Sequence, residues 1–298
     1  MLNFNGREVI ESCINSLVEA KGPEDEIIVV DNASTDGSVE SLEKRRDIRL
    51  LRLDENTFIF GLNRGLEVAR GQFVAFLNND ILVEPEFVER CLERFSDGMD
   101  VFAVCPRVLG MNGDEQGSRT SGFWLHGLIF FRPLSHSSEP TDCFFAVGGQ
   151  SFFRRGLLEE IGSIDPLFRP MYHEDVELSY RAWKRGWRIR YEPLAIAHHV
   201  GGHSSQRVFT PSQLRSFVRQ NEFLTVWKNI TDASLLAEHV ALIPFRLVAA
   251  LLRRDWPTMV GFAHAARRLG EVRVARRTAR THMRVRDNTV LRRLSEIR

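Results

Sequence analysis

The sequence of 298 residues predicts an α/β fold, with a mostly parallel, doubly wound sheet flanked by helices and a helical extension at the C-terminus. Two observations support this fold class. Short apolar strands alternate with helical segments over the first 105 residues, and such a succession of βα units is typical of a parallel sheet. The composition then changes near residue 211, so we divide the chain into a sheet domain, 1–213, and a basic amphipathic helical region, 214–298.

The first half of the chain alternates between the two periodicities. Strands are predicted at 26–31, 48–53, 73–77 and 101–105, and helices at 7–20, 61–70 and 85–95. Only Met1, Leu2 and Asn3 precede the first turn, so we expect residues upstream of Met1 to complete the first strand.

The second half is less regular. Residues 123–131 predict either a hairpin or a mobile flap, and strand character resumes at 144–153. Helices are predicted at 155–161, from Glu174 to a stop near Gly186, and at 215–229, with further strands at 188–191 and 195–200.

Polar residues follow two of the predicted strands. Asp31 ends one strand and opens a loop rich in Ser, Thr and Asp, and Asn78-Asn79-Asp80 follows another. Ligands of doubly wound sheets bind beyond the carboxyl ends of the strands, so these residues are candidates for a binding site. Taken alone, each is equally well explained by a helix-capping loop or a turn.

The charge of the chain is unevenly distributed. Residues 240–298 carry 14 Arg, no Lys and four carboxylates, a net charge of +10, which leaves −9 on the first 239 residues. No apolar run reaches the ~20 residues of a membrane span; the longest, 240–252, contains Pro244 and Arg246. We expect this tail to bind an anionic membrane surface at the inner face of the plasma membrane. A solvated appendage and a homodimer contact are the alternatives, and no nucleic-acid-recognition module is evident.

The four cysteines have no CxxC spacing, which predicts buried free thiols in a reducing compartment. The first residues do not have the pattern of a signal peptide, so we expect a cytoplasmic protein.

Five segments, taken in order, resemble glycosyltransferase family 2, and within it the bacterial rhamnosyltransferase-type members. They are NFNG at 3–6, VVDNASTDGS at 29–38, LNND at 77–80, EDVEL at 174–178 and HHVGGHSS at 198–205. The similarity covers about residues 1–210. It implies a GT-A fold, a nucleotide-sugar donor such as dTDP-rhamnose, a divalent cation (Mg²⁺ or Mn²⁺), inversion at the anomeric carbon, and a lipid-linked or polysaccharide acceptor.

The resemblance also implies which side chains bind the donor. Asp31 matches the family's Asp that hydrogen-bonds the pyrimidine base, and Asn3 and Asn5 are expected beside it. The remaining candidates for nucleotide-sugar binding are Ser34, Asn63 and Asn79.

Asn78-Asn79-Asp80 stands where the family has its DXD-like motif, so Asp80 is expected to hold the cation. His199 or His198 would complete that site. Alternate side chains of a strand point to opposite faces, so at most one of the two histidines faces it, and His199 fits better. A lone histidine is more often structural than a ligand.

The acidic pair Glu174-Asp175 begins a predicted helix, where carboxylates also stabilise the positive end of the helix dipole. In the family the second acidic residue takes the proton of the acceptor hydroxyl, which makes Asp175 the expected general base and Glu174 its support or an acceptor contact. Two other functions remain open: a catalytically impaired sugar-nucleotide-binding protein, and a nucleotidyltransferase.

Overall fold

A computed structural model describes residues 1–201 and 208–298. The strands are β1 (Leu2–Asn3), β2 (Ile28–Asp31), β3 (Arg49–Arg52), β4 (Phe73–Leu77), β5 (Ile81–Val83), β6 (Val101–Gly110), β7 (Thr120–Leu125), β8 (Leu128–Pro133), β9 (Thr141–Asp142), β10 (Gln150–Arg154) and β11 (Arg188–His199). The helices are α1 (Ile10–Ala20), α2 (Ser38–Leu42), α3 (Gly61–Val68), α4 (Phe87–Glu93), α5 (Arg155–Ile161), α6 (Glu174–Arg185), α7 (Pro211–Asn229), α8 (Ala233–Leu252), α9 (Trp256–Arg267), α10 (Leu269–Arg280) and α11 (Asp287–Glu296).

The strands form a parallel sheet and a mixed sheet. The parallel sheet has the order β1-β2-β3, and the mixed sheet has the order β4-β10-β6-β11-β5 with β9 beside β11. A parallel bridge from Leu2 to Asn78 joins β1 to the end of β4. The predicted α/β class with flanking helices is confirmed. The βα pattern of the first half did not show that β10 runs antiparallel to both β4 and β6.

Several predicted elements differ in detail from the observed ones. The hairpin alternative is correct, because β7 and β8 pair antiparallel through Leu125 and Leu128. The strand expected at 144–153 is shorter in the structure, where it is β10 and begins at Gln150. The two strands expected at 188–191 and 195–200 form one strand, β11, with an irregularity between Glu192 and Ile196.

The C-terminal helices share a core with the mixed sheet. Leu224 of α7, Val272 of α10 and Leu291 of α11 belong to the same buried cluster as Trp183 and Tyr191. The predicted division after residue 213 falls inside α7, which begins at Pro211 with Thr210 as its capping residue. All four cysteines are buried free thiols, as predicted.

Helix α8 contradicts the prediction that no apolar stretch reaches the length of a membrane span. It has 20 residues and a mean hydropathy of 1.8, and within 1–201 and 208–298 it is the one helix long and apolar enough to cross a bilayer. The sequence pattern broke this stretch at Glu238, but that carboxylate accepts a hydrogen bond from Trp124 Nε1 at 2.8 Å. Arg246 of the same helix donates to the His126 carbonyl at 2.6 Å.

Candidate active site

A cleft of about 390 Å³ lies beyond the carboxyl end of β4, and both predicted acidic motifs reach it. Asp80 and His199 line it together with Glu174 and Asp175. The rest of its wall comes from Leu2, Phe4, Asn32, Asn56, Phe58, Ile59, Asn78, Asn79, Val147, Gly148, Met171, Tyr172 and Val208. The residues of the predicted HHVGGHSS segment at 202–205 lie outside the described part of the chain.

Asp80 lines the cleft and has one oxygen without a described partner. Its side chain lies between β4 and β5 and is largely buried, and its Oδ2 is 3.1 Å from His199 Nε2. Its Oδ1 is buried and has no hydrogen-bond partner within residues 1–201 and 208–298. The hydrogen bond to Asp80 raises the pKa of His199, and burial opposes this rise. Since an unpaired buried carboxylate oxygen is costly, Oδ1 is suited to meeting a cation.

The two histidines point to opposite sides of β11, as alternation predicts. His199 pairs with Ile81 and His198 with Leu82 in the antiparallel ladder to β5. The His198 Nε2 atom lies 3.0 Å from Glu84 Oε1, so the structure brings His199 and not His198 to Asp80.

The residues at this end of the cleft fit a divalent cation shared with a ligand. In the described ranges there is no group of three His, Cys, Asp or Glu side chains that could hold a metal alone. Mg²⁺ and Mn²⁺ in nucleotide sites are typically held by one or two carboxylates, with phosphate oxygens and water filling the other positions. Asp80 and His199 are compatible with that arrangement.

On the same cleft, α6 begins with the acidic pair. Glu174 is 5% exposed, and its Oε2 has no hydrogen-bond partner in the described part of the chain. Burial, followed by the charge of Asp175, raises the pKa of Glu174 to about 8. Burial also raises the pKa of Asp175, although its oxygens accept hydrogen bonds from the backbone N–H groups of Gly148 and Val176. With its pKa near 8, Glu174 therefore favours its protonated form at neutral pH.

Two glycines allow the chain between β9 and β10 to approach this pair. Gly148 donates its N–H to Asp175 Oδ2 at 3.2 Å, and a Cβ there would lie 2.7 Å from Ile59 Cδ1. Gly149 has a φ of 83°, and a Cβ there would lie 2.2 Å from Asn78 Oδ1. A side chain at either position would push the backbone away from the cleft.

Most of the predicted donor-binding residues do not line the cleft. Asn3 Nδ2 donates to Asp31 Oδ1 at 2.8 Å and to Ser34 Oγ at 3.2 Å, and Asn5 accepts from the loop N–H that follows Ser34. The second oxygen of Asp31 accepts from Ser34 N, and Asp31 is 1% exposed. Asn79 links this network to the cleft, because its Nδ2 donates to Asn3 Oδ1 at 2.8 Å.

Two of these residues have partners within the protein. Asp31 does not line the cleft, both its oxygens accept hydrogen bonds from protein groups, and its contact with the base of the donor stays a prediction. Asn63 does not line the cleft either, and its role in donor binding also stays a prediction. Its amide instead bonds both the carbonyl and the N–H of Ile164, which ties α3 to the segment before α6.

Sequence reasoning missed several residues of the wall. Phe4 follows β1, where strand alternation no longer indicates the direction of a side chain. Asn56 and Tyr172 lie in irregular segments, and Phe58 begins a single 3-10 turn that is too short to show a periodicity.

Comparisons with known proteins agree with this arrangement. The family model "Glycosyl transferase family 2" matches residues 1–162. "Succinoglycan biosynthesis protein ExoO" of Rhizobium meliloti is 27% identical over 231 residues, which cover 74% of this chain and 65% of that protein. "Poly-beta-1,6-N-acetyl-D-glucosamine synthase" of Staphylococcus aureus is 26% identical over 217 residues, or 69% of this chain. The chain spans only 51% of the length of that synthase.

A solved structure shows the same fold. GalNAc-T7, determined with UDP, GalNAc and Mn²⁺, superposes with a TM-score of 0.64 at 19% identity, over 76% of this chain and 46% of its own. This likeness establishes the GT-A fold.

Proposed function

Because this chain belongs to glycosyltransferase family 2, we propose that it moves a sugar from a nucleotide-sugar donor onto a lipid-linked or polysaccharide acceptor, with inversion at the anomeric carbon. The observation that carries the proposal is the convergence of Asp80 and His199 with Glu174 and Asp175 on one cleft. Rhamnose from dTDP-rhamnose is the first donor to test. The names of the two relatives point to polysaccharide synthesis in the cell envelope as the setting.

Asp80 and His199 are proposed to hold Mg²⁺ or Mn²⁺ against the donor diphosphate. When bound, such a cation neutralises the charge that develops on the departing nucleoside diphosphate. The free, buried Asp80 Oδ1 supports this role, as does the Mn²⁺ reported with GalNAc-T7.

Asp175 is proposed to accept the proton of the acceptor hydroxyl. Its raised pKa makes it a stronger base than an exposed carboxylate, and Glu174, which holds its own proton at neutral pH, adds no second negative charge beside it. The backbone N–H of Gly148 fixes the orientation of the Asp175 carboxylate.

A transfer assay tests this function. The wild-type chain is incubated with nucleotide-sugars including dTDP-rhamnose, with Mn²⁺ and a lipid-linked or oligosaccharide acceptor, and the released product is identified. We expect nucleoside diphosphate together with glycosylated acceptor. Donor binding without release would identify a catalytically impaired binding protein, and pyrophosphate would identify a nucleotidyltransferase.

We also propose that the protein is cytoplasmic and attaches peripherally to the inner face of the plasma membrane through α8. One side of this helix exposes large apolar residues: Val240, Phe245, Val248, Leu251 and Leu252. Arg253 and Arg254 follow them, exposed and without an ion pair to any described residue, and their charge suits anionic lipid. The bonds of Glu238 and Arg246 to the β7–β8 hairpin hold α8 along the protein surface, which favours lying on a bilayer over crossing it.

Vesicle flotation tests this attachment. Phe245→Asp should reduce binding to vesicles that contain anionic lipid, and rising salt should weaken binding by the wild-type chain. Val274→Asp is the matched control, because Val274 is an equally exposed apolar residue on α10. Equal binding of the wild type and Phe245→Asp would refute the attachment. Dimer dissociation caused by Phe245→Asp would identify the face as a homodimer contact.

A further inference from the structure

The segment before the acidic pair has an unfavourable backbone. Tyr172 has a φ of 59° and His173 a φ of 74°, both in the left-handed region that non-glycine residues seldom adopt. His173 directly precedes α6, so its conformation sets the direction in which Glu174 and Asp175 leave the loop. Such conformations persist only where the surrounding structure holds them.

Asn221 of α7 holds this segment from behind. Its side chain is fully buried, and its Nδ2 donates to the carbonyls of Phe168 at 2.8 Å, Met171 at 3.2 Å and Tyr172 at 2.7 Å. Its Oδ1 accepts from Gln220 Nε2 at 3.0 Å, which fixes the orientation of the amide. One side chain thus gathers three carbonyls of the turn that leads to the acidic pair.

Helix α7 also contacts the chain before and after this segment. Lys228 Nζ lies 2.5 Å from Asp165 Oδ2, before the turn, and 2.6 Å from Glu177 Oε1, one turn into α6. Asn229 Nδ2 donates to Glu177 Oε1 at 3.0 Å. These contacts fix where α6 begins, so Asn221 has only the intervening turn left to shape.

We propose that Asn221 is a positioning residue for the acidic pair: by tying back the 168–172 carbonyls, it imposes the turn that aims Asp175 and Glu174 into the cleft. The inference rests on the proposed function. The chemistry of the position suits an amide, which supplies two N–H donors without charge. A carboxylate there would repel the three carbonyls, and a hydrocarbon would remove the N–H donor that all three share.

Asn221→Ala and Asn221→Asp test the proposal, with Thr225→Val as the matched control. Thr225 is equally buried on the same helix, and its hydroxyl bonds only the helix's own backbone. We expect kcat to fall about 10- to 100-fold in both Asn221 variants, because small misplacements of reacting groups are costly. Donor affinity should stay within about twofold, since neither Asp80 nor His199 is among the groups that Asn221 bonds. Thr225→Val should retain both values.

Hydrogen exchange of the full chain supplies a readout that does not depend on activity. Amides of 168–174 should exchange faster in Asn221→Ala than in the wild type or Thr225→Val. Unchanged exchange, or parallel losses of kcat and donor affinity, would overturn the proposal. If Asn221→Ala does not fold, Asn221→Ser, which keeps one donor, is measured in the same way. If the wild type transfers no sugar, the proposed function fails, and the exchange data alone decide whether Asn221 holds the turn.

Discussion

The two acidic groups of the cleft, Asp80 and the pair Glu174-Asp175, use the same residue types in opposite ways. Asp80 shares a hydrogen bond with His199, and its buried Oδ1 has no hydrogen-bond partner among the described residues. Glu174 and Asp175 form no ion pair with any described Lys, Arg or His, and burial raises both their pKa values. A carboxylate beside an imidazole, with a second oxygen that lacks a partner, is suited to a metal, whereas a buried pair without a described counterion is suited to moving a proton. The neighbours, and not the residue type, separate the two roles.

Asp175→Asn should have the largest effect. The amide keeps the shape of the side chain but cannot take a proton, so turnover should fall ~10²-fold or more while donor binding is retained. Steady-state kinetics together with donor titration measure both quantities. Near-normal transfer by this variant would remove Asp175 as the base.

Asp80→Ala removes the carboxylate that is proposed to hold the cation. Loss of a residue that supports a metal ligand typically weakens metal binding by ~10- to 100-fold. Loss of the proposed ligand itself should weaken metal-dependent donor binding by at least that factor. Calorimetric titration of donor with and without Mn²⁺ measures the change. Wild-type transfer that proceeds unchanged in excess EDTA would contradict the metal role.

The adjacent histidines provide a matched pair. His199→Ala should weaken metal-dependent donor binding about 10-fold, because it removes a proposed ligand beside Asp80. His198→Ala loses only a half-exposed contact to Glu84 and should change binding by no more than about twofold. Equal effects of the two substitutions, measured by the same titration, would show that His199 and His198 do not differ in their contribution to metal binding.

The smallest expected effect is on stability. The folded-state pKa of Glu174 is about 8, above the ~4.3 of an exposed glutamate. Its contribution to the free energy of unfolding is therefore fully present below the unfolded pKa and is lost as pH rises through about 8. Glu174→Gln should flatten the decline of the wild type's urea midpoint between pH 5 and pH 8, two values chosen to bracket this window. An identical slope in both proteins would mean that Glu174 is not buried as a neutral acid.

The sequence predicted the positions of the acidic residues of the cleft better than it predicted the surroundings of the other candidate residues. Strand ends and a helix start located Asp80, Glu174 and Asp175, because those positions depend on local periodicity. The internal hydrogen bonds of Asp31 and Asn63 were not predicted, because a motif does not show which partners a side chain has within the protein.

Longer-range features were not predictable in the same way. Asn221 contacts carbonyls about 50 residues earlier in the chain, and no local pattern records such a contact. The antiparallel insertion of β10 between β4 and β6 likewise depends on long-range contacts, which the succession of βα units does not indicate.

The separate roles of Asp80 in cation binding and of Asp175 in proton transfer are tested most directly by thermal melting. The wild type, Asp80→Ala and Asp175→Asn are melted with a panel of nucleotide-sugars, with and without Mn²⁺. A ligand at 100 times its Kd stabilises the folded state by about 2.7 kcal/mol, which is readily seen as a rise in Tm. The wild type and Asp175→Asn should be stabilised by the cognate donor only when Mn²⁺ is present, and Asp80→Ala should be stabilised much less. Stabilisation of Asp80→Ala equal to that of the wild type, or stabilisation of the wild type without metal, would contradict the roles assigned to Asp80 and Asp175.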